Sequence, residues 1–264
     1  MIPFVKTQAL GNDFILIEDS ALAGHSDHPG LARRICHRQF GVGADGLIVW
    51  KASGDRFPLH IFNQDGSEAE CSGNGLRCLA AYLIESGKWS APEIRLETIS
   101  GLYKLRRVGD EYEADMGVPI QTPPGMVNQA IVVDGESLRV TACSTGNPHC
   151  SLFVDRLDDS FVTRIGPKLE HFSAFPNRTN VEFIHVLNDR EIEVAFWERG
   201  VGKTFASGTG SCGATVACIL NGKTGRSVTV HTQAGKLQVE WPEGGRLNLT
   251  ASAKVVADGR YLEQ

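Results

Sequence analysis

The chain has no surplus of basic residues: its 264 residues include 26 Lys and Arg against 31 Asp and Glu, a formal net charge of −5. Nucleic acid is gripped first through its phosphates, so this balance argues against it as a partner. No apolar run approaches the roughly 18 residues that a membrane-spanning helix needs. Met1-Ile2-Pro3-Phe4-Val5-Lys6 does not open on a charged region with a long apolar stretch and a small-residue cleavage site behind it. No signal peptide is therefore expected, and the cytoplasm is the expected compartment. The seven cysteines, at 36, 71, 78, 143, 150, 212 and 218, form no Cys-x-x-Cys pair. An odd number with no zinc-type spacing points to reduced, structural thiols rather than a disulfide framework or a metal centre. Low-complexity segments and long charge runs are also missing. An apolar share of 42% and a charged share of 22% fit a soluble globular protein, with a small molecule as its expected partner.

Nucleotide-binding motifs occur only in outline. Gly208-Thr209-Gly210-Ser211-Cys212-Gly213 fits G-x-G-x-x-G, but the acid expected about 20 residues later is replaced by the run His231-Thr232-Gln233. Gly41-Val42-Gly43-Ala44-Asp45-Gly46 fits as well, yet it follows the end of an expected helix rather than a strand, although Asp55 supplies an acid. Gly202-Lys203-Thr204 resembles the end of a phosphate-binding loop whose first glycine would fall on Trp197.

What the sequence does contain is a concealed duplication. Ser72-Gly73-Asn74-Gly75 and Ser207-Gly208-Thr209-Gly210 each open an apolar run, and their serines stand 135 residues apart (207 − 72). Gly11-Asn12 and Gly146-Asn147 repeat that spacing (146 − 11). Ile94–Thr98 with Gly101 matches Val228–Thr232 with Gly235 at 134, as do Phe62 and Phe196. Landmarks in one order at nearly one offset predict two similar halves of common domain size. The boundary is expected near Met116-Gly117-Val118-Pro119, ahead of Thr122-Pro123-Pro124-Gly125. The domains are then 1–117 with 253–264, and 118–252.

Short β-rich segments bounded by Gly, Asp or Ser dominate both halves: 14–17, 47–50, 59–62, 94–98 and 103–105, then 151–154, 181–186, 192–196 and 228–231. Helices are expected over 31–38, 76–84, near 165–169 and over 211–220. The last has hardly any polar face and must be buried. The fold class is thus α/β (α+β): two pseudo-symmetric domains, each a β-barrel-like curved sheet around a central buried helix.

The two Ser-Gly-x-Gly turns offer backbone N–H groups and the positive end of a helix dipole, which suits a carboxylate. The plainer alternative is that each serine simply caps its helix. Asn12, Asn63, Asn147 and Asn180 are turn formers or polar ligands, and Glu198-Arg199-Gly200 is either a surface ion pair or a grip for an amine and a carboxylate. His149 by itself reads as a satisfied structural histidine.

These motifs together resemble the cofactor-independent diaminopimelate epimerases. The resemblance runs along essentially the whole chain, through 10–14, 41–46, 62–68, 73–78, 146–149, 198–200 and 208–210. It implies an active site in a cleft between two similar domains, no cofactor and no pyridoxal phosphate, and stereoinversion of LL- and meso-diaminopimelate by two cysteines on opposite faces of the α-carbon. It implies that Gly73, Asn74, Gly208 and Thr209 receive the substrate carboxylate. Asn12, Asn63, Asn147, Asn180, Glu198 and Arg199 would hold the amines and distal carboxylate, and His149 would support the cleft. It leaves a homodimer open. The family's catalytic cysteines precede Gly73 and Gly208, where this chain has Ser72 and Ser207. Either a Cys-to-Ser replacement that traps substrate or a relative with altered chemistry accounts for that departure. Another isomerase or lyase of the same fold, and a small-ligand binding protein, remain alternatives. Lys203 stands where the family commonly has an acid.

Overall fold

The computed structural model describes residues 1–22 and 24–262, so the last two positions of the 253–264 segment lie outside the described residues. In chain order the elements are β1 (Ile2–Ala9), β2 (Asn12–Glu18), α1 (His28–Ile35), β3 (Gly46–Trp50), β4 (Phe57–Asn63), β5 (Glu68–Ala69) and α2 (Gly73–Glu85). Then come β6 (Glu93–Thr98), β7 (Gly101–Val108), β8 (Glu111–Gly117), β9 (Gln129–Val133), β10 (Glu136–Ser144), β11 (Pro148–Phe153) and α3 (Asp159–Glu170). The remainder is β12 (Asn180–Val186), β13 (Glu191–Glu198), β14 (Gly202–Thr204), α4 (Gly208–Leu220), β15 (Ser227–Thr232), β16 (Gly235–Glu240), β17 (Leu247–Ala251) and β18 (Lys254–Tyr261). The fold is mixed α/β, mostly curved sheet with four α-helices among the described residues.

The chain divides into two compact units, Met1–Ala114 with the segment from Ala251 onward, and Asp115–Thr250. In the first, strand neighbours run β18, β1, β2, β3, β4, β6, β7, β8; the β2–β3 and β4–β6 pairs are parallel and the rest antiparallel. In the second, they run β9, β10, β11, β12, β13, β15, β16, β17, with β11–β12 and β13–β15 as the parallel pairs. The same succession, with parallel pairs in the same places, is the duplication expressed as topology.

Within the first unit α1 packs on one face of the sheet, with Leu31 and Ile35 against Ile15, Ile17, Leu47 and Val49. The central helix α2 packs against β1, β2 and β7. Covered on both sides, β3 buries all of Gly-Leu-Ile-Val-Trp, the continuous apolar run that a doubly covered strand needs. In the second unit α3 sets Val162, Ile165 and Leu169 against Leu152 and Phe183, and α4 packs against β10, β11, β12 and β13. The all-round apolarity of α4 is satisfied because residues 210–218 are all buried.

The β1–β2 turn places Leu10 and Gly11 at φ +51 and +81, a left-handed pair that keeps Ala9 opposite Asn12. Leucine in this region costs about 1 kcal/mol or more, so the surrounding packing over-determines the turn. Its product is Asn12 held at the first position of β2.

All four helices start earlier than their expected bounds, α2 and α4 by three residues each, at Gly73 and Gly208. α1 begins and ends three residues earlier than 31–38, because Asp27 accepts from the Gly30 N–H and Pro29 fits the first turn. α3 extends far beyond 165–169: the Asp158 carboxylate caps its start by accepting from the N–H groups of Ser160 and Phe161, and the helix carries Pro167 inside it. The proline lies inside the expected segment, and what the expectation lacked is the stretch from Asp159 to Arg164. No helix among the described residues is long and apolar enough to cross a membrane.

Candidate active site

Both Ser-Gly-x-Gly turns are helix starts of nearly the same geometry. Ser72 (φ −140°, ψ 113°) and Ser207 (φ −137°, ψ 125°) are the N-caps of α2 and α4. Each hydroxyl accepts a backbone N–H three residues on, Gly75 and Gly210 respectively, at 3.1 Å. The capping role weighed as the plainer alternative is therefore real. It leaves the N–H groups of Gly73 and Asn74, and of Gly208 and Thr209, with no intrahelical partner and at the positive end of the dipole. Capping and anion binding coexist at these turns, because they use different amides.

In the first unit an oriented set of hydrogen bonds ties the helix start to the sheet. Arg77, fully buried, donates to Asn74 Oδ1. Asn74 Nδ2 donates to Asn12 Oδ1 at 3.1 Å, and Asn12 Nδ2 donates to Asp45 Oδ2 at 2.8 Å. A cation at one end and a carboxylate at the other fix which way each amide faces. Asp45 also accepts from the Asp13 N–H at 3.1 Å and from Arg38 at 2.6 Å. Asp13 itself lies between Lys6 at 3.0 Å and Arg38 at 2.9 Å. Burial pushes the Asp13 carboxyl up, and these two cations more than offset it, holding it below its ordinary range. Asn63, at the end of β4, pairs across from Gly46 and donates to Ser67 Oγ at 3.0 Å.

The second unit repeats the plan with different chemistry. Asn147 Nδ2 donates to Thr209 Oγ1 at 3.3 Å, the same 62-residue bridge as Asn12 to Asn74. His149 is completely buried, its Nε2 2.8 Å from Asn147 Oδ1 and its Nδ1 2.6 Å from Glu182 Oε1. Ser151 donates to the other Glu182 oxygen at 2.9 Å. A Cβ on Gly213 would come within 2.8 Å of the His149 ring, so glycine is what lets α4 lie against it. Asn180 Oδ1 accepts the Arg199 N–H at 3.0 Å and Asn180 Nδ2 donates to Pro148 O at 2.9 Å. The Ser207 hydroxyl donates to Glu198 Oε2 at 3.0 Å. Burial raises the Glu198 carboxyl, with the Ser207 bond acting in the opposite direction. Lys203 is accounted for away from these groups, its ammonium 2.5 Å from Asp159 at the start of α3.

The expected site residues divide between the units, Asn12, Asn63, Ser72, Gly73 and Asn74 in the first, and Asn147, His149, Asn180, Glu198, Arg199, Ser207, Gly208 and Thr209 in the second. Three supporting carboxylates, Asp45, Glu182 and Glu170, were not among the expected residues. The repeat contained a signal for the first, since Asn180 less the offset falls on Asp45 (180 − 45 = 135) and Glu198 falls on Asn63 (198 − 63 = 135). Asp45 lies in the glycine-rich stretch that imitates a nucleotide fingerprint. The thiols nearest the first turn are held unreactive by burial. Burial pushes Cys71 up to about 11 and Cys78 up to about 12, far above a reactive thiol.

Known proteins resemble this chain along nearly its whole length. Residues 4–121 and 141–256 match a family model described as diaminopimelate epimerase. The diaminopimelate epimerase of Moorella thermoacetica is 44% identical over 274 residues, covering 98% of both chains. That of Pelotomaculum thermopropionicum is 46% identical over 274 residues, again covering 98% of both. Among solved structures, a hydroxyproline epimerase from Agrobacterium vitis superposes with a TM-score of 0.71 over 98% of this chain and 91% of that one. At 14% identity that likeness carries the fold alone.

Proposed function

This chain belongs to the diaminopimelate epimerase family of isomerases, and from that membership we propose that it binds LL- and meso-diaminopimelate with Ser72 and Ser207 at the two proton-transfer positions. The observation that carries the reading is the repetition of five positions at one offset. Asn12 and Asn147, Asp45 and Asn180, Asn63 and Glu198, Ser72 and Ser207, and Asn74 and Thr209 each stand 135 apart with one member in each unit, and in each unit a hydrogen bond ties the helix start to the asparagine 62 residues before it.

In this reading the amides of Gly73, Asn74, Gly208 and Thr209 receive the carboxylate at the reacting centre and stabilise the charge that grows as the α-proton leaves. Asn12, Asn63, Asn147, Asn180, Glu198 and Arg199 hold the amines and the distal carboxylate, and His149 keeps Asn147 in place. No step calls for pyridoxal phosphate. The cytoplasm is the proposed setting, where the seven free cysteines stay reduced.

Serine changes the chemistry at both bases. A thiol with an ordinary pKa of about 8.5 can be deprotonated near neutrality, and each further pKa unit costs about 1.36 kcal/mol. A helix dipole contributes only about 0.3–2 kcal/mol, too little to bring an alkyl hydroxyl into reach. The chain should therefore grip substrate and turn it over slowly or not at all. The two serines also favour a second reading, a receptor without catalysis.

Calorimetric titration separates the substrate classes. Saturable binding of diaminopimelate, with none of proline, hydroxyproline or histidine, is expected. Preference for a cyclic amino acid would overturn the assignment in favour of another isomerase of this fold. Binding without epimerisation after Ser72→Cys and Ser207→Cys are both made would favour the receptor.

A further inference from the structure

Glu170 stands where a carboxylate is least expected. It is the last residue of α3, at the negative end of the helix dipole, and only 4% exposed. A buried charge persists only where donors surround it. Glu170 Oε2 accepts the indole N–H of Trp197 at 2.8 Å, and Oε1 accepts the backbone N–H of Gly200 at 2.9 Å. The Arg178 guanidinium lies 3.6 Å from Oε1. Burial pushes this carboxyl up, and the Trp197 and Gly200 bonds, together with the charges of His171 and Arg178, more than offset it and hold it below its ordinary range.

The two donors bracket Glu198 and Arg199. Trp197 comes immediately before them and Gly200, at φ +76, immediately after. The Glu170 carbonyl also accepts the N–H of Thr179 at 3.2 Å, one residue ahead of Asn180, whose side chain holds the Arg199 amide. A single residue therefore sets the end of β13 and the start of β12 in register. α3 comes so near this turn that a Cβ on Gly166 would lie 2.6 Å from the Trp197 ring. At its other end Asp159 holds Lys203 on β14. The helix thus grips both limbs of the hairpin that carries Glu198 and Arg199.

From this arrangement we infer that Glu170 is a positioning residue for the ligand grip, fixing the backbone between Trp197 and Gly200 so that Glu198, Arg199 and Asn180 meet the ligand's charged groups in one set orientation. This rests on the functional reading given above. Glu170 touches no ligand and acts only through the turn. Glu170→Gln keeps the size of the side chain but turns an amide NH2 toward one of two donors.

Calorimetric titration of the intact chain with meso-diaminopimelate should give about tenfold weaker binding for Glu170→Gln, the effect of one buried hydrogen bond lost. Hydrogen exchange supplies a readout that needs no ligand: of the Gly200 amide and the Trp197 indole N–H, the one that meets the glutamine NH2 should be protected in the parent and fast in the variant, while the Phe183 amide in β12 stays protected in both. A variant that melts lower yet binds with parental affinity would overturn the inference, since a merely structural role predicts that result. If the parent itself does not bind diaminopimelate, the functional reading fails, and exchange at these two donors alone decides the role of Glu170, unchanged protection of both overturning it. Trp197→Phe removes only the indole donor and covers the case in which the glutamine variant misfolds. It should weaken binding in the same direction, and parental affinity there would also count against the inference.

Discussion

The Ser207 hydroxyl donates to Glu198 at 3.0 Å while accepting the Gly210 N–H at 3.1 Å, so one side chain caps α4 and partners a half-buried carboxylate. Ser72 makes the equivalent cap on α2 from a half-buried position. Removing either cap should cost about 1 kcal/mol. Ser207→Ala should cost more than Ser72→Ala, because it also takes a donor from Glu198. Thermal unfolding checks the ranking: a loss of about 2–4 °C is expected per kcal/mol in a chain of this size. Equal shifts would mean that the Ser207 to Glu198 bond contributes nothing to stability.

Asp45 is the acceptor end of the chain that orients Asn12. Asp45→Asn would present an NH2 where the carboxylate now meets Asn12, the Asp13 amide and Arg38. Leaving such donors poorly matched should lower stability by about 1–3 kcal/mol and weaken diaminopimelate binding through misorientation of Asn12. Denaturant unfolding and calorimetry on one preparation test both parts. Parental affinity in a measurably destabilised variant would separate Asp45 from the ligand grip.

Glu198 gives a pH signature of fixed sign. Burial raises its folded-state carboxyl above the ordinary value of 4.5, so the folded chain holds this proton more tightly than the unfolded one. The corresponding stability is fully present below about 4.5 and is lost as pH climbs through the raised folded value. The unfolding free energy of the parent, less that of Glu198→Gln, should therefore fall with rising pH above that point. A difference that rises with pH would contradict the assignment. Asp13 has the opposite sign, since Lys6 and Arg38 hold it low: its contribution is present above its ordinary 3.8 and is lost on acidification.

Much of this organisation was legible before any coordinates. The 135-residue offset announced the duplicated topology, and the all-apolar 211–220 run announced a buried helix. The paired glycine turns announced two helix starts. The rest was hidden for physical reasons. The first half of α3, Asp159–Arg164, is mostly polar, and its Val162 meets its apolar partners only on distant strands. Asp45 sits in a loop whose glycines serve close backbone packing, and that loop mimics a nucleotide fingerprint. His149 finds its acid 33 residues away on a neighbouring strand, and Glu170 finds its donors 27 and 30 residues away. Pairings of that kind come from the sheet register and leave no mark in local sequence.

On the proposed reading, this chain retains an epimerase's grip and lacks its two bases. α-Deuterium incorporation into diaminopimelate in heavy water measures this most directly, because it reports proton removal even where no net inversion follows. The chain as it stands should exchange negligibly, Ser72→Cys with Ser207→Cys should exchange and epimerise, and neither single replacement should give two-base turnover. Rapid exchange by the unaltered chain would contradict the account.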